Sequence, residues 1–160
     1  MKNFKLELKW GLIFTVIALL WMVLEKMMGW HDVHIADHPK YTMLFVPIAF
    51  LVYFLALSDK QKQDGGLTIK SAFISGLVIG LVVMILTPLS QYIVHNLVSP
   101  DYFANAAAYA ISSGTMTQEA ADTYFNFKNY LLQAALSAPI MGAVTALIVG
   151  GVMVLLQKKM

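Results

Sequence analysis

Three histidines, His31, His34 and His38, follow a glutamate, Glu25, and stand three and four residues apart. If that segment is helical, the three imidazoles share one face. Imidazole nitrogens with a carboxylate from Glu25 or Asp122 are the donor set that zinc or copper takes. A fourth histidine, His95, follows Thr87 and Gln91 at intervals of four, with Ser90 beside them. Asp122, Asn126, Asn129 and Gln133 form another stripe at four, three and four. Two chemistries are open to these residues. Glu25, His38, Gln91, His95, Asp122, Asn126, Asn129 and Gln133 would make a polar pocket for a lipid, a small ligand or a partner. His31, His34, His38 and His95 would be ligands to a metal ion. The structural alternative is that polar stripes at helix ends satisfy one another and the loop histidines are simply solvated.

Other chemistry is excluded or unsupported. The chain has no cysteine, so disulfides and thiolate metal sites are ruled out. His31-Asp32-Val33-His34 lacks the glutamate that follows the first histidine in metalloprotease helices. The Asp64-Gly65-Gly66 turn has neither the glycine spacing nor the lysine and hydroxyl of a phosphate-binding loop. No ordered Ser/His/Asp set can be tied to a fold, and no catalytic residue is assigned. Proton-coupled transport usually needs an acid deep in the membrane, and none is read near the middle of any span.

The elements that must position these residues are four apolar runs at 10–28, 41–57, 71–94 and 131–156. A hydrocarbon core of ~30 Å needs about 20 apolar residues as helix, and the second run is at the short end. With 59% hydrophobic and 12% charged residues, the chain is too apolar for an ordinary water-soluble domain, where charged residues run at about 25%. It reads as one polytopic domain over 1–160. The basic residues are all lysines, and they are sorted. Lys2, Lys5, Lys9, Lys60, Lys62, Lys70, Lys158 and Lys159 flank one side of the spans, against Lys26, Lys40 and Lys128 on the other. That asymmetry puts both termini in the cytoplasm. Glu25, Asp32, Asp37, Asp101, Glu119 and Asp122 fall on the outer side. The first run lacks a small-residue cleavage pattern and reads as an anchor that is kept.

Connections are short except 99–130, which is expected to form an outer helical cap. Ser99 would cap a helix with Pro100 and Asp101 in its first turn, and Gly114 would close it. Thr117 would cap a second helix that continues unbroken into the last span. From Glu119 to Leu156 such a helix would be about 56 Å long. Residues 58–68 are expected as a solvated inner loop. Ala134, Ala138, Gly142, Ala146 and Gly150 repeat every fourth residue, and Ala72, Gly76 and Gly80 answer them. Such spacing lets backbones approach closely, between spans three and four or across a homodimer seam. Pro47, Pro88 and Pro139 are tolerated where neighbours re-satisfy the backbone.

Several separated segments carry a family resemblance. They are Glu25 with the following Gly29 and His31-Asp32, Tyr41-Thr42, and Leu89-Ser90-Gln91-Tyr92-Ile93 with His95. Ser99-Pro100-Asp101-Tyr102-Phe103, Thr117-Gln118-Glu119-Ala120-Ala121, Tyr124-Phe125-Asn126 and Asn129-Tyr130 complete the set. Together they resemble the bacterial membrane-protein family catalogued as domain of unknown function 4199. That resemblance spans essentially the whole chain. It implies a four-span inner-membrane protein and no particular activity.

The expectation is therefore an all-α membrane protein, a four-helix bundle with an extracytoplasmic helical cap between spans three and four. Its role is read as that of a non-enzymatic accessory or scaffold subunit of the bacterial inner membrane, without nucleic-acid partners and with a homodimer or a partner membrane protein in view. A small oligomeric transporter is the alternative. A metal-dependent membrane enzyme using Glu25 and the histidines, with zinc or copper, is the second alternative.

Overall fold

In lipid a backbone has no hydrogen-bond partner but itself, so apolar runs of this length close into helices. The computed structural model describes residues 4–157, and Lys2, Lys158 and Lys159 of the charge count lie outside them. Among the described residues there are seven α-helices and no strand: α1 Lys5–Met27, α2 His38–Thr42, α3 Phe45–Asp64, α4 Ile69–Ile93, α5 Tyr102–Ser112, α6 Gln118–Tyr124 and α7 Phe127–Gln157. Four segments are long and apolar enough to cross a membrane, built on α1, α3, α4 and α7. Helices α5 and α6 form the expected cap between the third and fourth. The all-α, four-span reading holds.

The bundle is organised around α4 and α7, whose backbones nearly touch. A Cβ added at Gly76 would collide with Ala146 and stand 2.5 Å from the Gly142 carbonyl oxygen. One at Gly80 would lie 2.5 Å from both the Ala138 carbonyl and Pro139 Cα, and one at Gly150 would lie 2.5 Å from Ala72 Cβ. On the other face of α4, Gly11 of α1 faces Val82 at 2.5 Å from the same hypothetical atom. Helix α3 completes the core with Val52, Tyr53, Ala56 and Leu57 against Ile79, Val149 and Met153. Large apolar side chains such as Leu20, Ile85, Leu136 and Leu155 point outward and stay exposed. That is the pattern of helices solvated by lipid.

Several element boundaries differ from the sequence expectation. Helix α1 starts at Lys5, five residues before the apolar run, which brings Glu7 inside it. The second span starts at Phe45 and runs on to Asp64, so 58–64 is helical, not loop. Ser58 returns its hydroxyl proton to the Phe54 carbonyl, and Gly65, at φ +71°, turns the chain out. The helix expected to run unbroken from Glu119 ends at Tyr124 and restarts at Phe127. The reason is Asn126, whose side-chain oxygen accepts the Asn129 N–H at 2.9 Å and caps the new helix. Asparagine competes for backbone groups in this way, so it favours breaks over helix interiors.

Thr117 caps α6 as expected, accepting the Ala120 N–H at 3.3 Å, and Gly114 closes α5 at φ +72°. Ser99 does not cap α5: its hydroxyl is buried without a partner and Asp101 occupies the cap position. The chain reaches it through a π-helical turn, Val94–Val98, that extends α4. Such wide turns appear often at functional sites. This one carries His95.

Candidate functional site

At the rim away from the lysine clusters, α1 ends in a buried carboxylate. Glu25 has no exposed surface. One carboxylate oxygen, Oε1, accepts the Trp21 indole N–H from one turn below at 2.7 Å. The other, Oε2, faces two imidazoles: His31 Nε2 at 3.3 Å and His38 Nε2 at 3.5 Å. Gly29, at φ +74°, reverses the chain after α1 and swings His31 back over the helix end. A 3₁₀ turn at Ile35–Asp37 then leads into α2, which presents His38 from its first position. The three donor atoms lie within 4.8 Å of one another.

The cap closes over this cluster. Asn105 of α5 donates to the His31 carbonyl at 3.0 Å. Tyr102, at the start of α5, is the hub: its ring lies 5.0 Å from His31, 5.4 Å from His38 and 5.7 Å from His95. Its hydroxyl stands 2.9 Å from the Tyr130 hydroxyl and 3.5 Å from His38 Nδ1. Burial, with Tyr130 beside it, pushes the Tyr102 phenol above its ordinary range, so the hydroxyl keeps its proton and can donate. The nearby Lys26 does not balance Glu25; it bonds Asp32 at 2.8 Å and holds that carboxyl below the usual range.

Taken residue by residue, the structure brings together fewer of the sequence candidates than one pocket would need. Glu25, His31 and His38 converge. His34 is exposed and faces away, because residues 31–34 are turns and the three histidines do not share a helix face. His95 is buried one layer behind, stacked on Phe103 at 4.1 Å and bonded to Gln91 at 2.9 Å. Asp122 pairs with Gln118 at 2.9 Å on the surface. Asn126 and Asn129 spend their side chains on the α6–α7 break, Asn129 donating to the Tyr124 carbonyl at 2.9 Å. Gln133 is exposed and borders a shallow groove with Gln91 and His95.

Below the cluster a cavity of about 290 Å³ lies among α1, α3, α4 and α7. Thr15, Thr87, Ser90 and Ser137 line it, but each hydroxyl donates to a carbonyl of its own helix. Its polar wall is already satisfied.

A second polar cluster, absent from the sequence reading, sits at the opposite end of α1. Glu7 is 1% exposed. Its Oε1 accepts the Ser75 hydroxyl at 2.7 Å and lies 3.4 Å from Lys60 Nζ, which is also 3.4 Å from Asp64. The signal was available: Glu7, Gly11 and Thr15 repeat every fourth residue, and all three are buried. It was masked by Lys2, Lys5 and Lys9, which make the segment look like a solvated tail.

Comparison with known proteins gives one finding. The model of a family described as protein of unknown function (DUF4199) matches residues 9–154. No curated protein and no solved structure matches the chain.

Proposed function

We propose, for a chain that belongs to the DUF4199 family of unknown function, the role of a membrane accessory protein built around a divalent transition-metal site formed by Glu25, His31 and His38. The observation that carries this reading is the spacing of the donors. A tetrahedral zinc ion with ligands at 2.0–2.1 Å has ligand-to-ligand edges of about 3.3–3.4 Å. The separations of 3.3 and 3.5 Å from Glu25 Oε2 to the two imidazoles match two of the three edges, and the set lies within 4.8 Å, so the imidazoles would draw together on the ion. The His31 contact is also a hydrogen bond, longer than the roughly 2.7–2.9 Å of charge-assisted pairs. His38 Nε2 is buried with no hydrogen-bond partner.

The surroundings support the same assignment. A fully buried carboxylate needs a compensating positive charge; with Lys26 committed to Asp32, it falls to a cation held by the two imidazoles or to the imidazoles themselves. Trp21 on Oε1 leaves Oε2 for the ion, and Tyr102, donating to Tyr130, would accept the Nδ1–H of His38 and leave its Nε2 to ligate. Three protein ligands leave a fourth position for water or a small ligand. All three ligands lie between the end of α1 and the start of α2, so the ion would pin that connection under α5 more than turn over substrate.

The lysine asymmetry supports an arrangement with this rim outside and both termini in the cytoplasm, and the family resemblance implies a bacterial inner membrane. The surface of the cap is then free to meet a partner membrane protein or a second copy. The transporter alternative gains one observation, the buried Glu7 at the other end of the bundle. Against it stands the close packing of Gly11, Ile79 and Val82 between the two clusters.

Metal analysis after mild-detergent purification tests the proposal. Protein supplied with zinc or copper and then desalted is expected to keep about one ion per chain. Glu25→Gln and His38→Ala should lose it, while His34→Ala should keep it. Metal-free wild type after loading, or equal retention in His38→Ala, would overturn the reading.

A further inference from the structure

Glu7 poses an unmet demand. Its side chain is 1% exposed, and its Oε2 is buried with no hydrogen-bond partner among the described residues. Protonation would not cure this, since a carboxylic O–H would then lack an acceptor. Oε1 is already served by Ser75 and Lys60. Glu7 lines a cavity of about 260 Å³ together with Lys60, Gln63, Asp64 and Phe4. Leaving a buried carboxylate oxygen unpaired costs free energy that a bound donor would recover.

We propose that this cavity is a binding site for a primary ammonium group, presented by an aminophospholipid headgroup at the lysine-rich face of the membrane. Among the described residues that line the space, Glu7 and Asp64 are carboxylates and Lys60 is the ammonium, a set that favours a monovalent cation over an anion. Lys60 Nζ, 3.4 Å from Glu7 and 3.4 Å from Asp64, repels a divalent metal ion. An alkylammonium instead offers N–H groups that Glu7 Oε2 can accept. Lys60 retains a donor for a phosphate. The order carboxylate then ammonium, Glu7 then Lys60, complements the ammonium-then-phosphate order of phosphoethanolamine.

The same ammonium chemistry could come from a soluble amine, so the experiment has two arms. In the first, the full chain is reconstituted in nanodiscs of mixed lipids, extracted mildly and read by native mass spectrometry. Phosphatidylethanolamine should be retained over phosphatidylcholine by about tenfold, since a quaternary ammonium has no N–H to give. Glu7→Gln should abolish that preference. In the second arm, ethanolamine is titrated against the detergent-solubilised protein and the melting temperature followed. A rise with ethanolamine but no lipid preference assigns the site to a soluble amine and keeps the ammonium chemistry. Equal retention of the two lipids with no ethanolamine response, preferential retention of phosphatidylglycerol, or a preference untouched by Glu7→Gln overturns the proposal. The lipid comparison on the unaltered chain decides the matter even if Glu7→Gln fails to fold.

Discussion

A single side chain, Tyr102, joins three of the four histidines, and its hydroxyl is the natural place to perturb the outer cluster. Tyr102→Phe keeps the ring and removes the oxygen that stands 2.9 Å from Tyr130 and 3.5 Å from His38 Nδ1. Zinc affinity measured by competition with a chelating dye should fall about tenfold to a hundredfold, as it does when a partner to a ligating histidine is lost. Ser99 gives an opposite expectation. A capping serine replaced by alanine costs about 1 kcal/mol, but Ser99 Oγ is buried and unpartnered. Ser99→Ala should leave unfolding in detergent unchanged or raise its midpoint. The sequence displayed the residue types of the outer cluster but not their grouping. His34 has the spacing of a ligand and lies outside because the segment turns. Tyr102 looked like one more aromatic, and Glu7 like part of a lysine tail. Both are set by which helix packs over them, which spacing alone does not record.

At the level of the helix, the close approach of α4 to α7 is the most demanding feature. Gly80→Ala would push a methyl to 2.5 Å from the Ala138 carbonyl and Pro139 Cα, backbone atoms that cannot yield as a side-chain end would. It should destabilise the bundle by about 1–3 kcal/mol, read as a drop in the midpoint of unfolding in mixed micelles. Gly151, also in α7, meets nothing within 4 Å, so Gly151→Ala should be neutral or stabilise by up to about 1 kcal/mol. Removing the Asn126 cap as Asn126→Ala should cost about 1 kcal/mol and speed hydrogen exchange through 124–130. Spans and cap were legible because apolar run length and capping residues act locally. The break at 125–126 was not read, since no proline or glycine marks it and an asparagine does the work through one side-chain bond. The π turn at Val94–Val98 likewise leaves no local signature.

For the molecule as a whole, α1 links two buried carboxylates, Glu7 and Glu25, eighteen residues apart, or about 27 Å along a helix. That is close to the thickness of the hydrocarbon core. Each end of the bundle therefore holds a polar cluster built on a buried carboxylate, with Gly11, Ile79 and Val82 packed between them. The chain has no cysteine, so single replacements report sidedness without background. Lys62→Cys and Ser112→Cys, both at exposed positions, should label from opposite sides, with Ser112→Cys alone reached by an impermeant thiol reagent in intact cells. Anomalous diffraction at the zinc edge, from crystals of protein loaded with zinc, tests the central claim most directly. The account predicts one peak within about 2.1 Å of Glu25 Oε2, His31 Nε2 and His38 Nε2. No peak there, with Glu25 drawn into direct hydrogen bonds to both imidazoles at about 2.8 Å, would contradict it.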